Sequence, residues 1–117
     1  MLLENKIAVV TGAGRGIGRG IALALAREGA MVVVNYNGSK ERAEEVVRTI
    51  EEAGGKAVAI QCNISDFEAA KEFFANVVKE YGKIDILVNN AGITKDNLIM
   101  KMSEEEFQSV IHTNLAG

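Results

Sequence analysis

The chain has 117 residues, with 13 Lys or Arg against 16 Asp or Glu for a formal net charge of −3, and it is 48% apolar and 25% charged. That balance argues against nucleic-acid or polybasic membrane partners, and the apolar share is too high for intrinsic disorder. Cys62 is the one cysteine and His112 the one histidine, so neither a disulfide framework nor a Cys/His zinc site can be built within one chain.

Taken in order, Lys6 to Thr11 is a short β-branched run that stops at Gly12, as a buried parallel strand would. A helix is predicted over 16–28, with Ile17, Ile21, Ala24 and Leu25 at helical spacing and Gly29 as its stop. Ala30 to Asn35 is the second strand. The next helix spans about Lys40 to Ala53, with Ala43, Val46, Val47 and Ile50 on one face before Gly54-Gly55. Glu41, Glu44, Glu45, Glu51 and Glu52 form its solvated face. Ala57 to Cys62 reads as strand three. Ser65-Asp66-Phe67-Glu68 has the form of a capping box, opening a helix whose stripe is Phe67, Ala70, Phe74, Val77, Val78 and Tyr81. Ile84 to Val88 is strand four, followed by Asn89-Asn90-Ala91-Gly92. Met100 to Met102 falls in a loop, and a second capping box, Ser103 to Glu106, opens a last helix carrying Phe107, Val110, Ile111 and Leu115.

The longest apolar runs, Ile21 to Ala26 and Ala30 to Val34, fall far short of the ~20 residues of a membrane helix. Met1 to Lys6 has no signal-peptide pattern, so a cytoplasmic location is expected. Alternating strands and helices imply βαβ units whose right-handed crossovers set helices on both faces of a doubly wound parallel α/β sheet, in the order 3-2-1-4.

Thr11-Gly12-Ala13-Gly14-Arg15-Gly16-Ile17-Gly18 lies between the first strand and the first helix. There a pyrophosphate meets free backbone N–H groups and the positive end of a helix dipole. The spacing is G-x-x-x-G-x-G, not the usual G-x-G-x-x-G; in a bare turn it would be weak evidence, and its strand-turn-helix context gives it weight. A dinucleotide with a free 2′-OH is usually held by an acidic residue about 20 positions on. Here Asn35-Tyr36-Asn37-Gly38-Ser39-Lys40 offers no carboxylate, while Arg15 and Lys40 are cationic. This favours NADP(H) over NAD(H); the alternative is that both cations are solvated.

These motifs, Thr11-Gly12-x-x-x-Gly16-Ile17-Gly18, Gly82-x-Ile84-Asp85, Asn89-Asn90-Ala91-Gly92 and Asn114-Leu115-x-Gly117, resemble the short-chain dehydrogenase/reductase family along the whole chain. The resemblance implies a Rossmann-type fold. It also implies that Gly12, Arg15, Gly16, Ile17 and Gly18 line the pyrophosphate, with Arg15 reaching the 2′-phosphate beside Tyr36, Asn37 and Ser39. Asn63 and Ile64 match the family's adenine contact. Asn90, Ala91 and Gly92 would lie along the nicotinamide ribose, and Thr11 would tie the first loop to the fourth strand. Asn114 falls on the buried stripe of the last helix. The family makes it the catalytic asparagine that holds a water linking the catalytic lysine to solvent, while the residues alone also allow a C-terminal cap.

The wording of the motifs is most like family members that pass hydride from NADPH to a β-keto thioester on acyl carrier protein. Alternatives are another ketone or alcohol substrate, or a non-catalytic nucleotide-binding module. Family chemistry also needs a serine and a Tyr-x-x-x-Lys pair. The string Tyr36 to Lys40 is a decoy at the adenosine end, and Tyr81 has no lysine four residues on. Residues 1–117 are therefore expected to be one NAD(P)-binding domain ending before the catalytic serine and tyrosine. General acid catalysis is typically worth ~10²–10⁴ in rate, so the chain alone is expected to be inert. Strand four would be left as an open edge, and the full-length family form would be a homo-oligomer, a tetramer.

Overall fold

A computed structural model describes residues 2–13, 16–89 and 98–101. Its elements in chain order are β1 (Ile7–Val10), α1 (Gly16–Arg27), β2 (Met31–Tyr36), α2 (Lys40–Glu52), β3 (Lys56–Gln61), α3 (Phe67–Tyr81), β4 (Ile86–Asn89) and β5 (Leu98–Lys101). The sheet order is β3-β2-β1-β4-β5. The expected 3-2-1-4 arrangement is present with all three internal pairings parallel, in registers that set Val10 against Val34 and Val88.

Side-chain parity along the strands explains the layers. Ala8, Val10, Val32, Val34, Ile86 and Val88 face one core with Ala22 and Ala26 of α1 and Ala43, Val46 and Ile50 of α2. The alternate residues Val9, Val33 and Leu87 face the other core with Ala70, Phe73, Phe74 and Val77 of α3. The strands of such a sheet are buried on both sides and so read as continuous apolar runs.

Three expectations are corrected. The buried side of α1 is Gly18, Ala22 and Ala26, whereas Ile17 is 67% exposed and Ala24 is exposed. Residues i, i+4 and i+8 share a face. Here the face of smallest residues wins, because small side chains let the helix approach the strands closely. At α3, Ser65 is not the cap. Asp66 holds that position, its carboxylate accepting from the Ala69 N–H at 3.1 Å, while the Ser65 hydroxyl donates to Asn63 Oδ1 at 2.6 Å. Either residue suits an N-cap, and the turn at Asn63 engages the serine first. Finally, Leu98–Lys101 is a strand and not a loop, pairing antiparallel with β4 from Asn89↔Leu98 to Ile86↔Lys101. Its run Leu-Ile-Met is too short for periodicity to identify, but it meets the unpaired backbone groups of β4, which need partners. The open edge expected at strand four is therefore covered.

The expected last helix, its capping box and His112 lie outside the described residues. Among the described residues, no helix is long and apolar enough to cross a membrane.

Candidate functional site

Ligands of open parallel sheets bind beyond the carboxyl ends of the strands, and here that edge is chemically distinct. Among the described residues, the buried polar side chains are Thr11 and Asn35, at 0% and 1% exposure. Both sit where a strand gives way to a loop. The Thr11 N–H donates to the Val88 carbonyl at 3.0 Å. Its hydroxyl donates to Asn89 Oδ1 at 3.1 Å and lies 3.4 Å from the Val88 carbonyl oxygen. On the other side of β1, the Ala13 N–H donates to the Asn35 carbonyl at 3.4 Å. The Asn35 amide donates to the carbonyls of Cys62 at 3.2 Å and Ile60 at 3.5 Å. One row of polar contacts thus crosses the ends of β4, β1, β2 and β3.

The glycine loop leaves this row. Gly12 and Gly16 adopt φ of 61° and 62°, a region that costs a side-chain-bearing residue roughly 1–2 kcal/mol. Among the described residues, a Cβ at Gly16 would meet nothing within 4 Å. No acidic residue occupies the first turn of α1, so the helix's own first turn does not offset the positive end of its dipole. Gly18 is buried against the sheet and Ile17 is exposed beside the loop.

From the end of β2 onward, the segment 35–40 carries no carboxylate. Ser39 is the N-cap of α2, yet its hydroxyl makes no capping hydrogen bond. The Asn37 carbonyl and side-chain oxygens each accept from Gln61 Nε2 at 3.3 Å. Tyr36 packs partly buried against the α1 and α2 core, and Lys40 is the first residue of α2. The Tyr36-to-Lys40 string thus straddles a strand end and a helix start. Asn63 is exposed and its Oδ1 accepts from the Ser65 N–H at 3.1 Å. Ile64 turns inward, 6% exposed, into the α3 core. Arg15, Asn90, Ala91, Gly92 and Asn114 lie outside the described residues.

Two further groups support the fold, one at the opposite end of the sheet and one at the end of β3. Asp85 ties β4 to β1, its carboxylate accepting from the Ile7 N–H at 2.8 Å while its own N–H donates to the Ile7 carbonyl at 2.9 Å. Cys62 is buried, and burial, followed by the Asp66 and Glu72 charges, pushes its thiol above its ordinary value. Such a thiol stays protonated and unreactive at neutral pH, in keeping with a small core residue. Among the described residues no cluster of His, Cys, Asp and Glu is placed to hold a metal ion.

Sequence reading alone passed over Asn35. Its signal was a polar residue closing the Val32-Val33-Val34 run, at a depth where a buried amide must find partners.

The parallel sheet, the strand-glycine-helix turn and the polar strand ends define a dinucleotide-binding fold, and a model of the short chain dehydrogenase family matches residues 6–117. The chain belongs to that family. It is 57% identical over 113 residues to 3-oxoacyl-[acyl-carrier-protein] reductase FabG of Staphylococcus epidermidis, covering 97% of this chain and 46% of that protein. It is 45% identical over 115 residues to the Synechocystis 3-oxoacyl-[acyl-carrier-protein] reductase, covering 98% of this chain and 47% of that one. Among solved structures, it is similar to a short chain dehydrogenase from Burkholderia cenocepacia in complex with NADP, with a TM-score of 0.76 and 39% identity, covering 99% of this chain and 47% of that one. A metagenomic short-chain oxidoreductase in complex with NADP gives a TM-score of 0.76 at 42% identity, covering 80% of this chain and 42% of the other. The chain spans about half the length of the curated relatives it matches.

Proposed function

We propose that the chain is the NADP(H)-binding part of a 3-oxoacyl-[acyl-carrier-protein] reductase. The observation that carries the cofactor reading is the start of α1, with no acidic residue in its first turn, beside a β2 end that has no carboxylate and an uncommitted Ser39 hydroxyl. A pyrophosphate fits there: Gly16 leaves room, and the N–H groups of the first α1 turn lack intrahelical acceptors. At the other end an aspartate would repel a 2′-phosphate, whereas the Ser39 hydroxyl is available to donate to one, with Arg15 beside it by family resemblance. The two solved NADP complexes support the same cofactor, and the relatives' names support the reductase assignment.

When bound, a reduced nicotinamide supplies hydride to the β-carbonyl carbon while a proton goes to its oxygen, giving the 3-hydroxyacyl thioester and NADP⁺. This chain's own residues bind and orient. Thr11 holds the glycine loop to β4 and Asn63 flanks the adenine position. Family resemblance assigns Asn90, Ala91 and Gly92 to the ribose side and Asn114 to the water of the proton path. The proton donor itself, a Tyr-x-x-x-Lys pair, has no counterpart at the nicotinamide end of residues 1–117, so these residues alone bind without turnover.

Calorimetric titration with NADPH and NADH tests the cofactor, and loss of NADPH absorbance in the presence of a 3-oxoacyl thioester on acyl carrier protein tests the reaction in the whole enzyme. Tighter binding of NADH than NADPH overturns the cofactor assignment. NADPH binding with no oxidation by the whole enzyme on any 3-oxoacyl thioester overturns the substrate assignment alone.

A further inference from the structure

We infer that Asn35 is a positioning residue for the adenosine half of the cofactor, the counterpart on β2 of what Thr11 does on β1. The inference rests on the dinucleotide reading above. Asn35 shares parity with Val33 and therefore faces the α3 side of the sheet, where it is 1% exposed. Its amide reaches past its register partner Ile60 to the Cys62 carbonyl, at 3.2 Å. The Cys62 N–H meanwhile donates to the Tyr36 carbonyl at 2.9 Å. Cys62 is thus gripped through both backbone groups at the point where β3 ends, and the next residue is Asn63. The Asn35 carbonyl also accepts from Ala13, inside the glycine loop. The side chain of Asn35 therefore sets the turn assigned to adenine, while its backbone carbonyl, which any residue at this position would supply, meets the loop assigned to the pyrophosphate.

A buried amide is a costly way to fill a strand end. An apolar residue of similar size would pack there without needing partners, and a lost partner strands the Cys62 carbonyl in a region shielded from water. The arrangement makes sense if the direction in which the chain leaves β3 matters more than the packing. Preorganised binding sites are held by such buried supporting bonds.

The test uses Asn35→Leu, which keeps the approximate size and removes the donor without adding a charge, and Asn35→Ala. Dissociation constants for NADPH and for 2′,5′-ADP, the adenosine half alone, are measured well below the melting temperature. Both ligands are expected to weaken about 5–10-fold, the scale of one net hydrogen bond. A merely structural asparagine would lower the melting temperature and leave both constants unchanged, and that result overturns the inference. In a double-mutant cycle, Asn63→Ala is expected to weaken 2′,5′-ADP less in the Asn35→Leu background than in the unsubstituted protein. Strict additivity of the two changes also overturns it.

If neither variant folds, the side-chain NH₂ signal of Asn35 in the unsubstituted protein serves instead. It is expected to shift and to exchange more slowly with solvent on addition of 2′,5′-ADP; an unmoved signal refutes the role. Failure of the unsubstituted protein to bind either NADPH or 2′,5′-ADP is a different outcome, which removes the dinucleotide reading itself and this inference with it.

Discussion

Replacing Thr11 by valine preserves the β-branched shape and removes only the hydroxyl. The side chain is fully buried, so two effects of opposite sign compete. The backbone bond from the Thr11 N–H to Val88 at 3.0 Å survives, but the donation to Asn89 Oδ1 at 3.1 Å is lost. A neutral hydrogen bond contributes about 0.5–1.5 kcal/mol net, and a stranded buried acceptor costs about 1–3 kcal/mol. Asn89 is only half-buried, so water reaches its amide and the loss settles near 1 kcal/mol. That corresponds to a fall in melting temperature of about 4–8 °C for a small domain. Against it, a methyl group replacing a hydroxyl in a dry core gains transfer free energy. Thermal and urea unfolding, followed by far-UV circular dichroism, give the balance. With the β1–β4 tie loosened, NADPH is also expected to bind more weakly, while Thr11→Ser, which keeps the donor, retains affinity. A Thr11→Val protein at or above the parent melting temperature, with unchanged NADPH affinity, would refute the reasoning, because it would mean that the hydroxyl bond does not hold the strand ends.

Ala22→Leu forces a large side chain into the small-residue face of α1 and is expected to cost about 1–3 kcal/mol in urea unfolding, whereas Ala24→Leu on the exposed side stays within about 0.5 kcal/mol. Asp85→Ala removes the charged acceptor of the Ile7 N–H, bonded at 2.8 Å, and is expected to cost about 1.5–3 kcal/mol; Asp85→Asn, which keeps an acceptor, recovers most of it. Ser39→Ala is expected to leave stability within about 0.5 kcal/mol, well under the roughly 1 kcal/mol of a working N-cap, because its hydroxyl caps nothing, and to lower NADPH affinity with NADH unaffected in a paired titration. Burial, then the Asp66 and Glu72 charges, raises the Cys62 thiol. Its stabilising effect is complete below the unfolded-state value and is lost as pH rises through the ordinary thiol range towards the folded value; Cys62→Ala should flatten that part of a melting-temperature profile, leaving a smaller slope in the same direction from Tyr81, which is raised by burial and then by Glu80.

The parallel order of the first four strands was legible because each apolar run was separated from the next by a helix-length periodic segment, and right-handed crossovers leave few arrangements. The glycine turn was legible for the same reason, as glycines at a strand-to-helix junction have a narrow use. The errors came where two local rules competed. Of the expected α1 stripe, Ile21 and Leu25 pack partly buried against the core while Ile17 and Ala24 are exposed, because hydrophobicity alone ignores how close the face of Gly18, Ala22 and Ala26 must come to the sheet. Ser65 and Asp66 are both good caps, and the choice between them is made by Asn63, four residues before the helix. Four residues of β5 carry no period, so only the open edge of β4 decides their fate. Asn35 escaped notice because in one dimension it looks like the end of a strand, whereas its partners Cys62 and Ala13 lie 27 residues ahead and 22 behind.

The location of the buried polar groups bears on how such a site keeps its shape. Every described residue facing the cores within β1, β2 and β4 is apolar until the last turn of the strand, where Thr11, Asn35 and Asn89 appear side by side. Apolar packing is non-directional and would hold the strands together over a range of small slips along their length. A hydrogen bond is not so forgiving, since it weakens steeply once its angle closes towards about 120°. Placing directional contacts at the carboxyl ends therefore fixes register at the end where register matters, beside the glycine loop, and leaves the opposite end to the Asp85 clasp on Ile7. On this reasoning the polar row adds less to overall stability than the cores do, and its substitutions should move ligand affinity more than their cost in unfolding free energy would suggest.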